Sequence, residues 1–294
     1  MKRFAFCILS LLIYVCGQAS VFYKITGNGI EKPSYILGTH HLAPLSFLDS
    51  IPTIKEAMES CDVEVGEIDM TVSPMAIAFA TQKYMIAPSD STLSRLLPTD
   101  EYLDLAKKFE SISPAPGLTL QSLDMLRPMA ITAAVTVGIM AREIPEFNND
   151  AQLDSHIQGI FKESGRKIIP LESAEQQAEL LYTFVPISEQ VEDLRNLLNN
   201  PEECVLLSKE LNEAYFAGDI EKLYSLSLQE DGNPAFTDAL VRKRNINWVD
   251  KIPAIIESYP TFIAVGALHL PGPDGIISLL SQKGYTLTPV LTEK

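Results

Sequence analysis

Two histidines near opposite ends of this chain lie in the same local pattern. "SYILGTHHLAP" and "TFIAVGALHLPGP" each consist of an apolar β run, then Gly-x-x-His-Leu, a proline and a predicted helix. The pattern places His41 and His269 just beyond the carboxyl ends of two strands, where ligand sites gather in open α/β sheets. We therefore expect the two imidazoles to meet at one sheet edge, with Gly38 and Gly266 in tight strand-to-helix turns.

A third β run ends in acidic residues. "CDVEVGEIDM" carries Glu64, Glu67 and Asp69, and strand alternation places Glu67 and Asp69 on one face and Glu64 on the other. Imidazole and carboxylate are ligands for zinc, manganese and cobalt, and two histidines with one glutamate leave coordination positions open for water and substrate. The residue types therefore predict a divalent-metal or water-activating site.

The matched pair of motifs carries this prediction, because a single Gly-x-x-His recurs by chance and its histidine is then an ordinary surface residue. His40 is expected to point away from His41 and to pack or orient it. His156 lies on a predicted helix, and we expect it to be partly exposed and outside the site. The apolar stripe of that helix consists of Leu153, Ile157, Ile160 and Phe161.

Short apolar runs alternate with longer helical patterns, which predicts an α/β or α+β fold. We expect a central mixed β-sheet built from N- and C-terminal strands, flanked by helices, with a helical insertion in the middle. The predicted strands are Phe22–Thr26, Tyr35–Leu37, Val63–Val65, Lys167–Pro170, Phe262–Val265 and Thr286–Leu291. The predicted helices are 52–60, 73–87, 100–111, 121–142, 150–164, 173–183, 187–198, 202–217, 219–228, 234–247 and 274–283, with Asp274 as the N-cap of the last.

The net charge of the 294 residues is −15. This charge repels phosphate backbones, and the short basic segment "VRKRN" does not offset it, so nucleic acid is excluded as a partner. Any large partner is expected to be neutral or basic. Beyond the leader the cysteines are Cys61 and Cys204, which form either one disulfide or two free thiols.

The N-terminal segment "MKRFAFCILSLLIYVCGQAS" has a Lys-Arg start, an apolar core and small residues before Ser20. It predicts a signal peptide over residues 1–19 and one domain over residues 20–294, exported to the periplasm or cell surface. The residues before Cys16 loosely resemble a lipoprotein cleavage site, so lipid anchoring through Cys16 is an alternative. No later apolar run approaches the length of a membrane-spanning helix.

Five segments together resemble the TraB/GumN family, to which the Tiki metalloproteases are related. They are "YILGTHHLAP", "CDVEVGEIDM", "KIIPLESAEQQ", "RKRNINWVDKI" and "FIAVGALHLPGPDGIISLLSQKGYTLTPV". The family pattern has two Gly-x-x-His motifs and a glutamate after a β run, and these positions correspond to His41, His269 and Glu67. Glu67 fits the pattern better than Glu64.

The resemblance implies a metal-dependent, peptidase-like site on a fold related to erythromycin esterase and the haem-binding ChaN proteins. Other family-like positions are Glu172, Gln176, Asn245 and Trp248. Arg244, also in the pattern, either binds a substrate carboxylate or oxyanion or forms a salt bridge to Glu172 or Asp154. Trp248 is expected in the core.

Three functions remain open at this point. The first is a hydrolase of peptide-like bonds with Mn, Co or Zn held by His41, His269 and Glu67. Within it, Glu67 is either a ligand or the general base, with Asp69 or water completing the ion's shell. The second is a protein that binds a metal, haem or secreted peptide without turnover. The third is metal-free hydrolysis, in which a histidine activates water and Glu67 orients that histidine. The sequence has no His-Glu-x-x-His motif and no Gly-x-Ser-x-Gly elbow, which argues against a zincin and a serine hydrolase.

Overall fold

The computed structural model describes residues 20–149, 151–229 and 233–291. The predicted signal peptide and Cys16 lie outside these residues. Within them, the predicted α/β architecture is confirmed.

A mixed six-stranded sheet forms the centre, in the order β4-β3-β5-β2-β1-β6. The strands are β1 (Phe22–Gly27), β2 (Ser34–Thr39), β3 (Val63–Gly66), β4 (Lys167–Pro170), β5 (Thr261–Gly266) and β6 (Tyr285–Pro289). Neighbours among β4, β3, β5 and β2 are parallel, whereas β1 is antiparallel to β2 and β6. The terminal strands therefore share one sheet, as the sequence pattern predicts.

Each face of the sheet packs against helices because successive strand residues point to opposite sides. Phe22, Leu37 and Phe262 belong to the apolar core on one face, and Ile36 and Ile263 to the core on the other. The parallel strands β2 and β5 are buried almost throughout, which is why they read as continuous apolar runs.

The helices connect and cover the strands. Their bounds are α1 (Ile54–Ser60), α2 (Pro74–Met85), α3 (Leu93–Leu96), α4 (Thr99–Ile112), α5 (Pro128–Glu143), α6 (Leu153–Glu163), α7 (Ala174–Thr183), α8 (Ile187–Asn199), α9 (Pro201–Phe216), α10 (Ile220–Gln229), α11 (Pro234–Thr237), α12 (Arg244–Val249), α13 (Ile252–Ser258) and α14 (Ile276–Gln282). Short 3₁₀ segments occupy Leu45–Ser50, Gln121–Leu123 and Ala267–His269, and a π-helical segment, Asp238–Lys243, joins α11 to α12.

A separate apolar core, contributed largely by α4, α5 and α8, forms the helical insertion. The prediction of one helix over 121–142 is wrong at its start, because α5 begins at Pro128. Proline lacks an N–H donor and disfavours helical geometry at the preceding residue, and Arg127 accordingly has a ψ of 144°. Pro128 therefore starts the helix at its first position.

Of the two predicted strand-to-helix turns, that at Gly266 is observed, because Gly266 ends β5 and is the N-cap of the 3₁₀ segment Ala267–His269. Gly38 instead lies inside β2, and neither glycine adopts a left-handed conformation. Gly38 is needed for close approach, since a Cβ there would lie 2.9 Å from the Cα of Ala267. The predicted N-cap of the last helix is also corrected: it is Gly275 instead of Asp274, and a Cβ at 275 would lie 2.1 Å from the carbonyl oxygen of Pro271.

Cys61 and Cys204 are not joined by a disulfide; the first is buried and the second half-buried. Over the stretch of chain covered by the structure, no helix has both the length and the apolar character needed to cross a membrane.

Candidate functional site

One cavity of about 400 Å³ opens at the carboxyl edge of three adjacent parallel strands. Glu67 follows β3, His269 follows β5 and His41 follows β2, and all three side chains line it. The predicted convergence of these three strand ends on one cavity is therefore observed. Much of the remaining lining is apolar and includes Leu181, Leu211, Leu223, Leu240, Val241 and Leu268.

Arg244 is the centre of a buried ionic network at the base of this cavity. Its Nη2 lies 2.6 Å from Glu67 Oε2 and 2.6 Å from Glu172 Oε1, and its Nε also donates to Glu172. Its Nη1 donates to the Leu240 carbonyl and to His269 Nε2. These contacts use all five N–H donors of the guanidinium. Of the two roles predicted for Arg244, the structure shows the ion pair with Glu172 and extends it to Glu67.

Asn245 sets the tautomer of His269. The side-chain amide nitrogen of Asn245 donates to the carbonyls of Asp274 and His269, at 2.8 and 3.2 Å, which turns its oxygen towards the imidazole. That oxygen lies 2.6 Å from His269 Nδ1, so Nδ1 carries the proton and Nε2 presents its lone pair to Arg244 at 3.1 Å. The Trp248 ring, as predicted a core residue, packs 4.5 Å from the His269 ring.

Burial and charge assign protonation states to this network. Burial would raise the pKa of Glu67, but His269, the Arg244 guanidinium and the Gly266 N–H outweigh it and lower that pKa to about 2. Burial lowers the pKa of His269 to about 4, with Glu67 opposing and Arg244 reinforcing the shift. At neutral pH, Glu67 is therefore an anion and His269 is uncharged.

His41 lies apart from this network and beside a different acid. It is an exposed residue, whereas Asp154, near the start of α6, has an Oδ2 atom shielded from solvent that finds no hydrogen-bond partner among the described residues. Thr39 donates to the other oxygen, Oδ1, at 2.7 Å. Burial raises the pKa of Asp154, and the nearby charge of a protonated His41 opposes that shift. His41 and Asp154 therefore line the same cavity and influence each other by charge, without a hydrogen bond or ion pair between these two described residues.

The remaining histidines behave as predicted. His40 Nε2 lies 2.9 Å from Asn212 Oδ1, and its ring packs 5.0 Å from that of Tyr215. Burial lowers the pKa of His40 to about 4, so this ring is uncharged at neutral pH. His156 is exposed on α6 and does not line the cavity.

The other two acids of the third motif turn away from the cavity. Asp69 Oδ1 accepts hydrogen bonds from the backbone and hydroxyl of Thr71. Glu64 is completely buried, and neither of its carboxylate oxygens has a hydrogen-bond partner among the described residues. Burial and the charge of Asp154 raise the pKa of Glu64 well above its ordinary value.

The predicted ligand set does not fit a cation as the residues are placed. Glu67 and His269 direct their lone pairs at the Arg244 guanidinium, a positive charge that would repel an ion bound to both. Glu67 Oε1 also accepts the Gly266 N–H at 2.8 Å. Among the described residues, no three His, Cys, Asp or Glu side chains are grouped closely enough to hold a metal. The metal stays a prediction.

Two residues of the site carry no functional prediction from the sequence. Gln177 donates to Glu67 Oε2 at 3.0 Å, whereas its family-like neighbour Gln176 belongs to the capping box of α7. For Asp154 the sequence predicts only an ion pair with Arg244. Its signal is weak, because an acid in the first turn of a helix is ordinary there.

The fold and site define an α/β protein with a polar site at the carboxyl edge of its parallel strands. Residues 21–289 match the TraB/PrgY/gumN family, and the chain belongs to that family. Neither the curated proteins nor the solved structures that were searched contain a match.

Proposed function

We propose that the chain is a hydrolase of peptide-like bonds and that the cavity at Glu67, His41 and His269 is its active site. The observation that supports this most directly is the cavity itself. The three polar strand ends and a largely apolar lining enclose a cavity of about 400 Å³. Ligand pockets generally combine an apolar lining with a few convergent polar groups in this way.

His41 is the residue we assign as general base. It is exposed to the cavity and has Asp154 close by, whereas His269 uses both ring nitrogens within the protein. In the proposed reaction His41 takes a proton from water while the water oxygen attacks the scissile carbonyl carbon. The C–N bond then breaks as the imidazolium gives that proton to the leaving amine, and ionised Asp154 stabilises the imidazolium.

In this proposal the Arg244 network holds the cavity in shape and does not contact the substrate. Its five donors are engaged by Glu67, Glu172, His269 and Leu240, so we assign no substrate contact to it. It joins the loops after β3 and β4 to α12 and so shapes the base of the cavity. Of the three functions left open by the sequence, this is the metal-free hydrolase, with Asp154 in the orienting role first given to Glu67.

The test uses the purified chain on a broad fluorogenic peptide library. His41→Gln and Asp154→Asn are expected to lower kcat by about 100-fold or more, the usual range for losing general base catalysis. His156→Gln, on the same helix as Asp154 but outside the cavity, is the control and is expected to retain full activity. Full activity in both His41→Gln and Glu67→Gln would refute the proposal.

The metal-dependent version of the hydrolase is distinguished in the same assay. It requires Arg244 to leave Glu67 and His269, and it predicts loss of turnover on chelation and recovery with manganese, cobalt or zinc. Turnover that is unchanged by chelation favours the metal-free version. Export to the periplasm or cell surface is part of both versions and is tested by cell fractionation.

A binding protein without turnover is the second candidate, and the saturated network favours it. Because Glu67, Arg244 and His269 satisfy one another, they form a rigid polar base under a largely apolar wall. Such a cavity suits capture of an apolar group. Tight peptide binding with no cleavage in the library assay would support this candidate and exclude the hydrolase.

A further inference from the structure

Helix α2 presents an unusual surface for an acidic soluble domain. None of its twelve residues is buried, and Met75 and Phe79 are 82% and 77% exposed. These two residues are four apart and therefore lie on the same face of the helix, one turn from each other. Such exposure of large apolar side chains marks an interaction surface more often than an ordinary protein surface.

The apolar surface continues beyond both ends of α2. Val72 precedes the helix and Ile86 follows it. Met125 lies near the Ile86 end, because Ala87 N donates a hydrogen bond to the Met125 carbonyl. All three are exposed, Met125 by 70%. We refer to Val72, Met75, Phe79, Ile86 and Met125 as the α2 patch.

The helix that carries the patch is well formed. The Ser73 side chain caps it by accepting from Ala76 N, and Pro74 occupies its first turn. Its other side packs against α7, which in turn lines the cavity. The patch therefore belongs to an ordered helix with an uncovered outer face.

The distribution of charge around α2 indicates which partner the α2 patch fits. The chain carries a net charge of −15, yet no acidic residue occurs between Asp69 and Asp90, and Lys83 is the charged residue of α2. A basic partner would gain from acids at its docking site, whereas two copies of this chain repel one another unless acids are absent where they meet. Residues 70–89, which lack acids, are therefore suited to a second copy, and Asp124, the acid next to Met125, is bound by Ser94.

We propose that the chain forms a two-fold symmetric dimer in which the α2 helices of two copies pack antiparallel through the α2 patch. Phe79 lies near the middle of Pro74–Met85, so a two-fold axis through the helix centre brings the two Phe79 rings together. Met75 of each copy then packs near Gln82 and Lys83 of the other. The negative charge elsewhere on each copy is screened over about 8 Å at physiological ionic strength.

Sedimentation equilibrium on the full chain tests the dimer. The wild-type chain is expected to be dimeric at about 10 μM, a concentration at which micromolar interfaces are populated. Met75→Glu and Phe79→Glu are expected to be monomeric with an unchanged Tm, because both side chains are already exposed. Leu206→Glu is the matched control, since Leu206 is also exposed on a helix, at 61%, but lies outside the patch; it is expected to remain dimeric.

A second measurement locates the axis. Phe79→Cys is expected to form a disulfide-linked dimer under mild oxidation, and Leu206→Cys is expected not to. A monomeric wild type overturns the proposal, even if that monomer sediments with lipid vesicles or binds another protein through α2. A dimer that persists in Phe79→Glu, or one that Leu206→Glu dissociates equally, also overturns it.

Discussion

Arg244 lies between Glu67 and His269, with its Nη2 2.6 Å from Glu67 Oε2 and its Nη1 3.1 Å from His269 Nε2. Two of the three residues that the sequence motifs mark as metal ligands are therefore joined by a guanidinium. This arrangement gives Glu67 a positive counter-charge within the protein. It also lowers the net negative charge of the site, because Arg244 balances part of the negative charge of Glu67 and Glu172.

Loss of the guanidinium should destabilise the fold strongly. Arg244→Met leaves Glu67 and Glu172 buried without their cation, and breaking a buried ion pair in this way costs about 3–5 kcal/mol. Urea unfolding followed by the fluorescence of Trp248, the single tryptophan, measures the change. Arg142→Met, at an exposed surface ion pair, is the control and should change the free energy of unfolding by less than about 1 kcal/mol. Equal stability of Arg244→Met and wild type would contradict the assignment.

The contributions of His269, His40 and Glu67 to stability should fall on acidification in two ranges. Glu64 and Asp154, whose pKa values are raised, contribute in the opposite direction. Burial lowers the folded pKa of His269 and His40 from 6.5 to about 4, so the unfolded chain binds more protons between these values and stability is lost as pH falls from 6.5 to 4. The lowered pKa of Glu67, about 2 against 4.5, adds a further loss below pH 4.5. Urea midpoints measured from pH 8 to pH 3 test this.

His40→Asn is the informative variant for the upper range, because it removes one of the two titrating rings and leaves an amide that can still meet Asn212. Its stability should fall less steeply between pH 6.5 and 4 than that of the wild type. His156→Asn, at an exposed position, should leave the profile unchanged. A His40→Asn profile as steep as that of the wild type between pH 6.5 and 4 would show that the His40 ring is not held neutral.

Glu64→Gln should stabilise the protein at alkaline pH. Burial and Asp154 raise the folded pKa of Glu64, so stability is present below the unfolded pKa of 4.5 and is lost as pH rises towards the folded value. Glutamine keeps the shape and polarity without the ionisation, and the gain at pH 8 should be at least about 1.4 kcal/mol, the free energy that corresponds to one pKa unit. Near pH 4 the two proteins should be equally stable. A less stable Glu64→Gln at pH 8 would mean that the carboxylate has a partner.

The Asn245 side chain should control the protonation of His269. In Asn245→Asp a carboxylate replaces the amide oxygen that faces Nδ1, and its charge should raise the pKa of His269 from about 4 towards neutrality. Nitrogen NMR shifts of the imidazole measure this titration directly. Asn245→Ser serves as the uncharged control and should leave the pKa low. If the pKa of His269 is the same in the two variants, a group other than the residue 245 side chain faces Nδ1.

Removal of metal should leave the fold unchanged. Because Arg244 already neutralises Glu67, dialysis against a chelator is expected to shift Tm by less than about 1 °C. Added manganese, cobalt or zinc should give no large increase in Tm. A fall of several degrees on chelation that one of these ions reverses would instead support the metal-dependent hydrolase.

The amino-acid sequence by itself determined which segments form the sheet and which strand ends carry histidine and glutamate. The six strand predictions lie within two residues of the observed bounds, because alternating and continuous apolar runs are local signals of burial. The repeated Gly-x-x-His pattern likewise placed His41 and His269 at one sheet edge, since parallel strands share their carboxyl ends.

The tertiary structure alone decided what these residues contact. Arg244 reaches Glu67 from 177 positions away in the chain, and Thr39 reaches Asp154 from 115. No local periodicity encodes such contacts, because they depend on how α6 and α12 pack against the sheet. That packing directs Arg244 to Glu67 and His269, whereas His41 and Asp154 line the same cavity outside that network. A pattern that predicts one three-residue site therefore folds into an ionic network of two of these residues and a separate, exposed histidine.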